Sequence, residues 1–135
     1  MSYTIESIEG IGPAYARKLR AVGITNTKHL LDLCCDRKGR RRTSESSAVS
    51  EGQLLEWANM ADLMRISGVG TQYSELLEAA GVDTVKELRR RNAENLHAAL
   101  ADANSGKKLT RKLPPLATVR RWIDASKSMK PLIQH

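Results

Sequence analysis

Two short glycine runs carry the chemistry most open to this chain: Gly10-Ile11-Gly12 and Gly68-Val69-Gly70. Each precedes a segment with helical spacing of apolar residues. A turn without side chains lets backbone amides approach an anion closely. The helix that follows adds unpaired N–H groups and the positive end of its dipole. The ligand this arrangement suits is a backbone phosphate, and such contacts carry no base information. Arg17 and Lys18 follow the first turn and would add positive charge. At the matching places after the second turn stand Glu75 and Leu76, with Glu78 close by, so acidic groups there oppose an anion. The residues read as phosphate-binding are therefore Gly10, Ile11, Gly12, Ala14, Tyr15, Arg17 and Lys18. A weaker second site comprises Gly68, Val69, Gly70, Thr71 and Gln72, and its turn is equally readable as packing.

The densest basic cluster, Arg37, Lys38, Arg40, Arg41 and Arg42, follows later and could lie along a phosphate backbone. It reads equally as a solvated loop. Arg89-Arg90-Arg91 and the stretch Lys107–Lys112 are similar in composition. Charge is unevenly spread. Residues 1–49 hold nine Lys/Arg against five Asp/Glu, residues 50–104 hold five against nine, and residues 105–135 hold eight against one. The total of +7 favours an anionic partner.

Catalysis finds little in the sequence. His29, His97 and His135 share no motif, and Asp32 lacks the surroundings an active carboxylate needs. Cys34 and Cys35 are neighbours, a geometry that strains a disulfide, and no zinc spacing is present. We expect no enzyme, no metal and no required cofactor. The N-terminus has no apolar leader and no stretch could span a membrane, so a reducing cytoplasm is the expected location.

The turns belong to a repeat at an offset of 58 residues. Ile8-Glu9-Gly10-Ile11-Gly12 aligns with Ile66-Ser67-Gly68-Val69-Gly70, Tyr15 with Tyr73, Leu19 with Leu77, Gly23 with Gly81 and Leu30 with Leu88. Further on, Leu55-Glu56-Trp57 matches Arg120-Arg121-Trp122 at an offset of 65. The expected division is residues 1–59 and 60–135.

Local signals predict an all-α fold without strands. Thr4 and Asp62 are expected N-caps of a short first helix, and Thr25 and Asp83 of a later one. Both glycines of each turn are expected to serve the chain reversal, since only glycine accepts positive φ freely. Helices are expected over about Pro13–Val22 and Thr71–Ala80, closed by Gly23 and Gly81. Ser50 with Gln53 makes a capping box, and Asn92 caps a helix ended by Asn104-Ser105-Gly106. Residues 105–113 read as a basic linker, Pro114-Pro115 opens a last helix to about Lys127, and Lys130–His135 reads as frayed. Trp57, Trp122, Tyr15 and Tyr73 read as core residues.

Gly10 through Leu19 is similar to the hairpin of family X DNA polymerases, and resembles those of Holliday-junction-binding and recombinase-associated domains. Over Ile8–Lys18, Ala61–Gly70, Gly81–Arg91, Asn95–Leu100 and Trp122–Lys127 the chain resembles a bacterial family of tandem helix-hairpin-helix proteins with no assigned activity. The resemblance implies two such units packed as a compact helical bundle. It implies sequence-independent binding of nucleic acid, DNA foremost, with phosphate on the amides of Gly10, Gly12, Ala14 and Tyr15. Ala14 stands where some such hairpins carry a hydroxyl. Turns of this kind can also hold a monovalent cation. The alternative is a protein-interaction module or homo-oligomer, whose acidic middle and basic ends pair between copies.

Overall fold

The computed structural model describes residues 2–135, and the described residues are all helical, with no strand. A 3-10 turn, Ile5–Ser7, opens the chain. Eight α-helices follow: α1 Pro13–Ala21, α2 Thr27–Cys34, α3 Arg37–Ser47, α4 Glu51–Leu63, α5 Thr71–Ala79, α6 Val85–Leu88, α7 Ala93–Lys107 and α8 Leu116–Lys127. Among the described residues the one extended pairing is an isolated bridge between Thr4 and Asn26.

Buried apolar side chains form two clusters. The first gathers Ile5, Ile8, Leu19, Ile24, Leu54 and Trp57 among others. The second gathers Leu63, Ile66, Leu76, Leu77, Leu96 and Trp122 among others. Helix α4 serves both: its start packs on α2 and α3, and its end, at Leu63, enters the second cluster. Each fully buried Leu or Ile contributes roughly 1.5–3 kcal/mol, so these clusters dominate the stability.

The helix ends follow side-chain chemistry, with shifts from expectation. Asn26 Oδ1 accepts from His29 N at 2.8 Å, so Asn26 rather than Thr25 caps α2. Thr84 takes the cap position of α6 in place of Asp83, and its hydroxyl donates to Glu87. Thr4 occupies a cap position but makes no capping bond. Asp62 lies inside α4, fully buried, and does something else. One carboxylate oxygen accepts from Val85 N at 3.0 Å at the start of α6, and the other pairs with Arg65 at 2.7 Å. Asp62 thus caps a helix across space rather than its own. Ser50 Oγ accepts from Gln53 N, but the Gln53 side chain turns to Glu56, so the capping box is half formed.

Helix α7 runs past Asn104-Ser105-Gly106 to Lys107, and Lys108, at φ 51°, ends it. Asn104 still governs the exit: its side-chain oxygen accepts from Thr110 N and its amide donates to Thr110 O. The basic stretch is consequently ordered, with Leu109 and Leu113 against the second cluster. The expected fraying of Lys130–His135 is also corrected. Gln134 N donates to Cys35 O at 2.7 Å, and Leu132 and Ile133 pack on the first cluster. The tail leaves α8 in the second half and returns to the first because its apolar pair finds a hydrophobic seat there.

Candidate nucleic-acid interface

The two glycine turns share one backbone course. Gly10 has φ 95° and Gly68 has φ 91°, the left-handed region that favours glycine. Ile11 N bonds Ile8 O, as Val69 N bonds Ile66 O. The second glycine of each turn behaves differently from expectation. Gly12 and Gly70 sit at φ −87° and −102°, in extended backbone that any residue adopts, and cap α1 and α5. What sets Gly12 apart is space: a Cβ there would meet nothing within 4 Å, whereas one on Gly10 would lie 3.4 Å from Trp57 Nε1. Trp122 Nε1 stands in the same relation to Gly68, at 3.6 Å. Each turn is backed by an aromatic pair, Tyr15–Trp57 at 5.0 Å and Tyr73–Trp122 at 5.2 Å between ring centroids. Trp57 and Trp122 are buried as expected, but Tyr15 is 38% exposed.

Around the first turn the surface is open. Gly10, Gly12, Ala14 and Tyr15 are exposed, and their amides donate to no acceptor among the described residues. Pro13 fills the first position of α1, where its missing N–H costs nothing. Ile11 points into the first cluster and anchors the turn rather than reaching a ligand. Arg17 and Lys18 are exposed on α1, with Lys18 Nζ 5.6 Å from the centre of the Tyr15 ring. Arg20 is neutralised by Glu6 at 2.6 Å, and that contact holds the Glu6 carboxyl below the usual range.

Helix α3 packs beside α1, and its basic residues Lys38 and Arg41 lie beside the tail and the start of α4 respectively. Its N-terminus is capped by Asp36 Oδ1, which accepts from Gly39 N at 2.7 Å. Gly39 is required for packing: a Cβ there would stand 1.9 Å from the Leu33 carbonyl oxygen. Lys38, Arg41 and Arg42 are exposed. Arg40 is not, and its expected role is corrected. It is 3% exposed and donates to Cys34 O at 2.9 Å and Gln134 O at 2.6 Å. It ties the end of α2 to the tail, a common use of a cation at a helix C-terminus. Arg37 is exposed but donates to His135 O at 2.5 Å. Arg89 and Arg91 likewise serve helix ends, donating to Ser126 O and Ala80 O.

The second turn is enclosed on one side. Gly68 and Gln72 are exposed, Gly70 and Thr71 half-buried, and Val69 is in the second cluster. The Thr71 hydroxyl donates to Ser7 O, so it joins the two halves. Gln72 Oε1 accepts from Thr110 at 3.4 Å. Glu75 and Glu78 share a cavity with Glu9 and Glu56 from the first half. Burial pushes both carboxyls above their ordinary value, helped by the like charge of Glu9 at Glu75 and of Glu56 at Glu78. Cys34 is buried and its thiol is pushed up by burial; both cysteines are free.

Among the described residues no group of His, Cys, Asp and Glu is arranged to hold a metal, and no helix is long and apolar enough to cross a membrane. Sequence reasoning missed the surroundings of the turns: Glu9 and Glu56 beside the first, Ser67 and Arg121 beside the second. The signal was present in the offset of 65, which sets Arg121 opposite Glu56.

Residues 9–129 match the family described as Domain of unknown function (DUF4332), and the chain belongs to that family. No curated protein and no solved structure matches the chain.

Proposed function

We propose that this member of the DUF4332 family binds nucleic acid, duplex DNA foremost, through backbone phosphates at the first of two helix-hairpin-helix turns. One observation carries the reading: the exposed amides of Gly10, Gly12, Ala14 and Tyr15 have no internal acceptor, and the helix they open bears the exposed cations Arg17 and Lys18. A phosphate oxygen would receive charge-assisted hydrogen bonds there and lie at the positive end of α1. Lys38, Arg41 and Arg42, exposed on α3, are further cations that a phosphate backbone could reach. Nothing in this arrangement reads a base, so affinity should depend on salt and shape rather than on sequence.

The second turn is assigned to packing. Its hydroxyl residue is engaged by Ser7, and Glu75 and Glu78 repel phosphate. The reading requires no cofactor and no chemical step, and a monovalent cation at the first turn is an addition it does not need.

The test reverses charge without touching the turn. Arg17 and Lys18 are exposed, so Arg17→Glu with Lys18→Glu should leave helicity and melting unchanged. Affinity for a fluorescent 20-base-pair duplex should fall by about tenfold or more. Unchanged affinity in the double variant would remove the first turn as the phosphate site.

A further inference from the structure

A groove of about 420 Å³ lies beside the second turn, walled by Ser67, Gly68, Tyr73, Thr118, Arg121 and Trp122. That volume suits a small molecule. The Trp122 side chain is buried, at 3% exposure, yet its indole N–H donates to no acceptor among the described residues. Buried donors are ordinarily paired, so this one calls for a partner. Among the described residues the unpaired side-chain atoms sealed from water are Asn59 Oδ1 and Arg89 Nε. Trp122 Nε1 is not one of them, so it reaches solvent, and the open space its side chain borders is this groove. Gly68 leaves that edge uncovered: a Cβ there would stand 3.6 Å from Nε1.

The charged group of the groove is also a donor. The guanidinium of exposed Arg121 donates to Thr118 Oγ1 at 3.0 Å and makes no ion pair among the described residues. Nearby acids are engaged elsewhere, Asp124 with Lys127 at 3.9 Å and Glu94 with Arg120, and no Asp or Glu lines the groove. Thr118, having accepted from Arg121, keeps its own O–H to give. The Tyr73 hydroxyl is spent on Lys112 O, which leaves its ring as an apolar wall 5.2 Å from that of Trp122. A guanidinium and an indole N–H cannot accept a hydrogen bond, so a ligand that satisfies both must bring acceptor oxygens.

We infer that this groove binds a small organic carboxylate, its oxygens held by the Arg121 guanidinium and the Trp122 N–H and its apolar body laid along Tyr73 and Trp122. A carboxylate matches the guanidinium fork in shape and in single charge. A phosphomonoester carries close to two charges at neutral pH and would meet one cation here. The first turn does not offer the same chemistry. Trp57 supplies an equivalent indole, but the repeat sets Glu56 where Arg121 stands and Glu9 where Ser67 stands, and carboxylates repel an anion. The inference stands independently of nucleic-acid binding at the first turn.

The probe is 3-phenylpropionate at neutral pH, followed by the indole N–H signals of Trp57 and Trp122 in the full ¹⁵N-labelled chain. The Trp122 signal should shift saturably with a Kd below about 1 mM, with Trp57 unmoved. Neutral 3-phenylpropionamide lacks the charge and acetate lacks the apolar body, so each should bind at least about tenfold more weakly. Arg121→Gln, at an exposed position, should weaken 3-phenylpropionate binding by about tenfold or more, while melting and duplex affinity stay as in wild type. No Trp122 shift up to about 10 mM 3-phenylpropionate, an equal shift at Trp57, equal binding of the amide or of acetate, or unchanged affinity in Arg121→Gln overturns the inference. Tighter binding of phenyl phosphate than of 3-phenylpropionate would make the ligand a phosphate. Duplex affinity lost in Arg121→Gln would give the groove to nucleic acid; either result overturns the carboxylate.

Discussion

Two glycines two residues apart should respond in opposite ways to a side chain, and the contrast isolates binding from folding. Gly10 has φ 95°, and a Cβ would press to 3.4 Å from Trp57 Nε1. A left-handed conformation costs a non-glycine residue roughly 1–2 kcal/mol, so Gly10→Ala should lower Tm by about 3–8 °C. Gly12 has φ −87° and ψ −175°, an extended conformation open to any residue, and its Cβ would enter open space. Replacing a glycine where the backbone suits the newcomer gains about 0.4–1 kcal/mol from the unfolded chain. Valine is a poorer N-cap than glycine by a similar amount, so Gly12→Val should melt close to the wild-type temperature. The isopropyl group would nevertheless stand over the amides that open α1 and keep a phosphate from them. One charge-assisted hydrogen bond contributes about 1.5–3 kcal/mol, so affinity should fall by about ten- to a hundredfold. Fluorescence anisotropy with a labelled duplex and thermal melting on the same samples give both numbers. A folded Gly12→Val protein that binds as tightly as wild type would refute phosphate capture by these amides. Gly70→Val, at φ −102° with nothing within 4 Å, should be neutral in both assays.

Three further outcomes follow from the same surfaces. If the first half neutralises about four phosphates, log K against log salt should fall with a slope near −3.6 on duplex DNA; a slope near zero would contradict backbone binding. Arg40→Ala removes a buried guanidinium from two carbonyls and should lower Tm by roughly 5–10 °C, while the folded fraction still binds; lost affinity with unchanged melting would return Arg40 to the interface. Glu78 has a raised pKa, so its neutral form suits the fold: its contribution to stability is full below about 4.5 and is lost as pH rises through the raised value. Glu78→Gln should raise Tm by about 2 °C at pH 7 and leave it unchanged near pH 4, by differential scanning fluorimetry. A shift of equal size at both pH values would show that charge is not the cause.

The sequence by itself determined what depends on neighbours along the chain. Helical spacing of Leu and Ala, cap residues such as Ser50 and Asn92, and the closing glycines Gly23 and Gly81 are decided within one or two turns of backbone. Those signals place most helices and the two glycine turns to within a few residues; α3, Arg37–Ser47, is the exception, because its basic stretch reads equally as a solvated loop and Asp36 is not among the caps read from sequence. Caps moved by one residue, Thr25 to Asn26 and Asp83 to Thr84, because adjacent polar residues compete for the same amides. Tertiary structure alone decided which charges remain free. Arg37, Lys38, Arg40, Arg41 and Arg42 are alike in sequence, yet Arg40 is sealed between α2 and the tail while Arg41 faces water. Asp62 looks like a local cap and instead reaches Val85, 23 residues on. The tail reads as frayed in sequence, and the hydrophobic seat for Leu132 and Ile133 exists only once the first cluster has formed. A helix reports its own ends through short-range hydrogen bonds, but a charged side chain is freed or buried by whatever packs against it, and that neighbour lies elsewhere in the chain.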